Sequence, residues 1–142
     1  MYFCCMENEV NESFEILLAA CQTADSNLAV AYKQLRDLLE RLCRAQMQDE
    51  SLQMTDLSAR ISFVSARAGL TIVEQNRLHT FRLTSNAILN RKEEPVREKL
   101  LRDAKTLAFF IRKLYEVEIP GELYHLLPVS YTHLTLPTIY SV

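Results

Sequence analysis

Four polar residues recur at helical spacing in one stretch of this chain: His79, Arg82, Asn86 and Asn90, separated by three, four and four positions. On a helix that spacing makes a single stripe. His79 is the member able to exchange a proton near neutral pH. The guanidinium of Arg82 binds an anion such as phosphate or carboxylate through a planar fork of donors. Asn86 and Asn90 donate through their amides but exchange no proton in that range. The stripe is therefore equipped to hold an anion. Acid–base work in the stripe would fall to His79 alone. A plainer use is structural, with hydrogen bonds across a bundle that fix one packing. In that use a half-buried Arg82 is expected to bond Glu40 or a backbone carbonyl of another helix. Arg36 and Glu40, four positions apart, are expected to form a surface ion pair contributing about 0.2–0.5 kcal/mol.

Other chemistries lack their residues. Two glycines, Gly69 and Gly121, cannot build a phosphate-cradling loop. The three histidines, at 79, 125 and 133, form no His/Glu/His zinc motif. No serine sits in a nucleophile elbow. No metal or cofactor is therefore expected. Cys4, Cys5, Cys21 and Cys43 show no metal-ligand spacing and are expected as free thiols of a cytoplasmic protein. A formal net charge of −2 gives no electrostatic argument for nucleic acid. No run of eighteen apolar residues is present, so no membrane span is expected. The opening Met1–Cys5 lacks the positive charge of a signal peptide.

The stripe needs a helix to carry it and other helices to pack against. A length of 142 residues with 49% hydrophobic content suits one domain with one core. The spacing predicts a first helix from Glu12 to about Thr23, with Phe14, Leu17, Leu18 and Cys21 inward. Asp25 or Ser26 is expected to cap a second helix to about Met47, its core face running Leu28, Ala31, Tyr32, Leu35, Leu38, Leu39 and Leu42. After a polar connector, Thr55-Asp56 opens a third helix with Leu57, Ile61, Val64 and Ala68 inward, closed by Gly69. Thr71 and Glu74 form a capping box for the fourth helix, which carries the stripe beside an apolar face of Leu78, Phe81, Ser85, Ile88 and Leu89. Pro95 is expected in the first turn of a fifth and longest helix to about Val117, with Val96, Leu100, Ala104, Leu107, Ile111 and Leu114 as its core stripe. Phe109 lies almost opposite that stripe, among Lys105, Arg112 and Glu116. It is expected either as a single exposed ring or as a contact for chain outside the domain. A short last helix runs from Gly121 to Leu127 after Pro120. The architecture expected is an all-α bundle of five or six mostly antiparallel helices over residues 6–128.

The two ends read differently. From Val129 the sequence VSYTHLTLPTIYSV contains no Asp, Glu, Lys or Arg. It resembles translated sequencing-adapter read-through, which implies that residues 129–142 are no part of the fold and that the natural chain continues beyond Pro128. Met6 is expected as the true start, with residues 1–5 as upstream read-in.

The segment from Asp25 to Pro128 resembles the helical domain of unknown function grouped with the HEPN (higher eukaryotes and prokaryotes nucleotide-binding) superfamily. The residues that carry the resemblance are Arg36-Asp37-Leu38-Leu39-Glu40, matching an Arg-x-x-Leu-Glu helix after an Asp-Pro-like start at Asp25-Ser26, and the stretch from Phe81 to Asn90. That stretch is similar to the signature Leu-Arg-x-x-Gly-Asn-x-x-Ala-His. Arg82 and Asn86 match; Ser85 stands for the Gly and Asn90 for the His. Active members of the superfamily are metal-independent ribonucleases that use the Arg and His pair. Asn90 removes the proton carrier, so the resemblance implies a non-catalytic relative.

The reading that follows is a non-catalytic interaction or regulatory module, the N-terminal part of a larger prokaryotic DNA-processing or defence protein, with downstream domains of the same chain as partners. The resemblance also implies pairing into a homodimer through the motif-bearing helices. One alternative is a HEPN-type ribonuclease acting as a dimer, with Arg82 and a displaced His79 in the cleft. Another is a helical adaptor with no nucleic-acid connection.

Overall fold

The computed structural model describes residues 2–47 and 56–127, with side chains from Asn8 onward. The tail from Val129, the residue Thr55 and most of the polar connector lie outside the described residues. Six helices form an all-α bundle: α1 (Tyr2–Thr23), α2 (Leu28–Gln46), α3 (Leu57–Ala68), α4 (Ile72–Leu89), α5 (Arg97–Tyr115) and α6 (Gly121–Leu126).

Helix α2 is the hub. Its apolar positions recur every three or four residues, and α1, α3, α4 and α5 all pack against it. Ala31, Tyr32, Leu35, Leu38, Leu39 and Leu42 are buried, as expected, and Cys43 joins them. Phe81 of α4 and Leu107 and Ile111 of α5 are completely buried against this face. Surface ion pairs record the direction of neighbouring helices. Arg41 late in α2 pairs with Glu12 in α1, so the four-residue connection 24–27 folds α2 back along α1. Arg97 at the start of α5 reaches Asp25 at 3.0 Å, and Tyr115 at its end reaches Glu9 at 3.5 Å. Helix α5 therefore runs antiparallel to α1. These exposed pairs report register more than they add stability.

Each helix boundary has a local cause. Asn27 caps α2, its Oδ1 accepting from the Val30 amide at 3.2 Å. The expected cap at Asp25 or Ser26 is corrected: Asp25 is engaged by Arg97, and the Ser26 hydroxyl donates to the Thr23 carbonyl that ends α1. Gly69 stops α3 at φ +84°, a left-handed conformation open to glycine without a Cβ clash. The capping box at α4 forms as expected. Thr71 Oγ1 accepts from the Glu74 amide, and Glu74 Oε1 accepts from the Thr71 amide at 2.8 Å.

Four boundaries or faces differ from the expectation. Helix α1 starts at Tyr2 rather than Glu12, and at 22 residues it, not α5, is the longest described. Val10 extends its inward stripe by one turn ahead of Phe14. Pro95 lies before the N-cap of α5 instead of inside its first turn. Val96 is that N-cap, held extended at φ −124°, so its side chain leaves the core stripe and is 53% exposed. Leu89 sits on the last residue of α4, where the chain turns away from the bundle, and it is exposed. Arg91, next after the C-cap Asn90, takes φ +60° and lets the Lys92 amide reach back to the Ala87 carbonyl at 2.7 Å. That closure is of the Schellman type.

Cys21 and Cys43 are buried free thiols. Burial pushes their pKa up to about 11 and about 12 respectively. They behave as small core hydrophobes, not as nucleophiles. Among the described residues no helix is long and apolar enough to cross a membrane.

Candidate functional site

The polar stripe of α4 is present but does not converge on one space. His79, half-buried, lies 3.0 Å from the Ser62 hydroxyl of α3 through its Nε2. Burial first, and the charge of Arg82 second, hold its pKa below the usual histidine value. Asn86 faces the other way, towards α2, where its Oδ1 accepts from Arg36 Nε at 3.0 Å. Arg36 Nη1 also reaches Glu40 Oε2 at 3.4 Å. The Arg36–Glu40 pair is thus not the plain surface pair expected of i,i+4 spacing. Arg36 is only 24% exposed and ties α2 to α4 through an amide. Asn90 serves as the C-cap of α4, with its own amide bonded to the Asn86 carbonyl, and its side chain is exposed.

Arg82 is the departure from expectation. Its Nε is buried with no hydrogen-bond partner, and among the described residues its side chain bonds neither Glu40 nor a carbonyl. The reason is geometric: Arg36 approaches from α2 and already holds both Glu40 and Asn86. Ser85, buried, donates to the Arg82 carbonyl at 2.9 Å. The stripe therefore serves α4's packing with α3 at one end and with α2 in the middle.

A second polar arrangement was not legible beforehand. Tyr32 of α2, completely buried, donates from Oη to Asp103 Oδ2 of α5 at 2.9 Å and stacks on Phe81 with ring centroids 6.2 Å apart. Burial pushes the Asp103 carboxyl up to about 6, against the Tyr32 bond and the charges of Lys99 and Arg102, which act to lower it. Burial and the neighbouring carboxylate likewise push the Tyr32 phenol above its usual range.

Asp103 lines the base of a groove of about 600 Å³ between the first half of α4 and the middle of α5. Its sides carry Arg77, Arg102 and Lys105, with Val73 and Phe109 as the apolar faces. A second hollow continues past Phe109 towards Arg112, Glu116 and Glu118. The Lys105 ammonium stands 5.8 Å from the Phe109 ring centroid. Phe109 is not the lone exposed ring that one expectation held. It is half-buried, packs on the core and divides the two hollows. Lys113 spans to Glu74 at 3.5 Å and closes one side. Sequence reading noticed Lys105, Phe109 and Arg112. Extending the same period back one turn to Arg102 gives the whole stripe, but nothing in the linear text places Arg77 opposite it.

Among the described residues no group of three His, Cys, Asp or Glu side chains is arranged to hold a metal ion. Comparison with known protein families, with curated proteins and with solved structures finds no match for this chain.

Proposed function

We propose that this chain is a non-catalytic helical interaction module. The observation that carries the reading is the α4/α5 groove, where Arg77, Arg102 and Lys105 surround apolar Val73 and Phe109 without a carboxylate in ion-pair distance of any of the three among the described residues. Open apolar surface beside uncompensated charge is typical of a surface that meets another molecule.

The motif stripe supports the non-catalytic half of the reading. Acid–base catalysis needs a titratable group and an anion binder in one space. Here His79, although near enough to Arg82 to feel its charge, is engaged with Ser62 on α3, and the motif's last position is an exposed Asn90 at the end of α4. The resemblance to HEPN-like domains extends the proposal to a context: the N-terminal part of a larger prokaryotic DNA-processing or defence protein, acting with the domains that follow it.

One observation favours a second reading. The unpartnered Nε of Arg82 is a donor that a metal-independent ribonuclease would keep free for phosphate, with His79 acting across a dimer cleft. The experiment that separates the two is an RNA-cleavage assay in EDTA on the purified chain, beside Arg82→Ala, His79→Ala and Asn90→His. The expected result is no cleavage in the parent. Cleavage in the parent that disappears in both alanine variants overturns the proposal in favour of the enzyme. Cleavage gained only in Asn90→His supports a scaffold that has lost its proton carrier.

A further inference from the structure

We propose that the α4/α5 groove docks a short acidic segment of a partner protein, anchored by one large apolar side chain; this deepens, and rests on, the reading of the chain as an interaction module.

The charge argument comes first. Arg77 and Lys105 line the groove from opposite helices, and burial first, with the charge of Arg77 second, holds the Lys105 ammonium below its usual pKa. Two cations thus share one space, and among the described residues neither has a carboxylate within ion-pair distance. Arg102 adds a third cation to the lining of the same groove. The carboxylates nearby are committed. Glu74 is held by the Thr71 amide and Lys113, and Asp103 by Tyr32. An incoming carboxylate therefore relieves a repulsion and meets donors that no internal group satisfies.

The apolar argument fixes the kind of anion carrier. Val73 is 58% exposed on α4 and faces the groove with Phe109 of α5. Beneath them the buried Leu78 and Phe110 give the floor an apolar part beside Asp103. A volume of about 600 Å³ accommodates a Leu or Phe side chain with its flanking backbone. A bare inorganic anion would leave that surface wet.

Nucleic acid fits less well. A phosphate backbone presents continuous charge and gains from a continuous basic track. Here Glu116 and Glu118 interrupt the cations that line the continuing hollow, and the chain as a whole carries −2. A short segment with two or three carboxylates around one anchor needs only the groove beside Arg77, Arg102 and Lys105.

The test uses the full chain and a fluorescein-labelled octapeptide, Ser-Glu-Glu-Phe-Glu-Ser-Gly-Ser, followed by fluorescence anisotropy. Three probes serve as comparisons: the same peptide with Phe replaced by Ser, the peptide with every acid replaced by Lys, and a labelled oligouridylate. Saturable binding of the first peptide is expected. Binding should fall about ten-fold or more with Arg77→Glu and with loss of the Phe anchor, and it should weaken as salt rises. Arg77 lies on the surface, so its reversal leaves the core intact. Lys105→Gln provides a second variant, and far-UV circular dichroism checks both. No binding of the first peptide at millimolar concentration overturns the proposal. So does unchanged affinity in Arg77→Glu and Lys105→Gln, or tighter binding of the oligouridylate that depends on the same residues. Sedimentation of the free chain covers the remaining occupant. A dimer that Arg77→Glu dissociates assigns the groove to a second copy and also overturns the proposal. Loss of the peptide result leaves the non-catalytic reading standing, because that reading is decided by RNA cleavage.

Discussion

Tyr32 and Asp103, 71 positions apart in the chain, are joined by a 2.9 Å hydrogen bond that ties the hub helix α2 to α5 beneath the groove. The phenol is completely buried, and the carboxylate it holds is pushed from an ordinary 3.8 to about 6. The folded protein therefore takes up a proton at Asp103 at a pH where the unfolded chain has already lost it.

The direction of the resulting pH dependence follows. Below about pH 4 the carboxyl is protonated in both states and burial costs little. As pH rises from about 4 to about 6, this group withdraws stability, because the unfolded chain ionises first. Above about 6 the penalty is complete and is on the order of 2 kcal/mol after allowance for partial solvent access. Asp103→Asn keeps an acceptor for Tyr32 and removes the charge. It should be more stable than the parent at pH 7.5 and nearly equal to it at pH 4, as read from urea unfolding midpoints. A gap that does not change with pH would refute this assignment.

Arg36 and Arg82 should respond oppositely to the same substitution. Arg36→Met strips Asn86 and Glu40 of their partner and should cost about 1–2 kcal/mol. Arg82→Met removes a buried nitrogen that has no partner and should be neutral or stabilising by up to about 1 kcal/mol. Thermal unfolding of the two variants compares them directly. Equal losses would mean that Arg82 is engaged after all.

Arg91 holds φ +60° in the turn that ends α4. A side chain in that conformation is disfavoured by about 1–2 kcal/mol, and glycine recovers most of it while adding freedom to the unfolded chain. Arg91→Gly should therefore stabilise by about 0.5–1 kcal/mol, whereas Arg91→Ala should not. A destabilised glycine variant would show that the arginine side chain supports the turn in some other way.

The fold was legible where periodicity alone decides. Leu39, Phe81, Leu107 and Ile111 were expected inside and are completely buried, because a three-and-four spacing on a helix leaves few other orientations. Caps were legible when their partners lie within a turn, as Thr71 and Glu74 do. They were missed when a distant residue intervenes: Arg97 engages Asp25, and Asn27 becomes the cap. The same limit explains the polar residues. Arg82 was matched to Glu40 by type and burial, but Arg36 on the same helix as Glu40 reaches it first. Tyr32 read as one more core residue, since its bond to Asp103 depends on how α2 and α5 are juxtaposed. The groove needs two helices at once, and only its α5 half, through Lys105, Phe109 and Arg112, left a trace in the linear pattern.

The antiparallel pairing of α1 with α5, pinned from Asp25–Arg97 to Glu9–Tyr115, has a consequence for the order in which the protein can be made. Helices α1 and α2 can pair across their four-residue connection as soon as both have left the ribosome. The second flank of α1 is covered by α5, synthesised some seventy residues later, and by α6 after it. Until then the buried positions of α1 that face α5 stay wet. Helix α1 is thus fully sheltered only once α5 has been made, and until then the nascent chain carries an apolar stripe in search of cover.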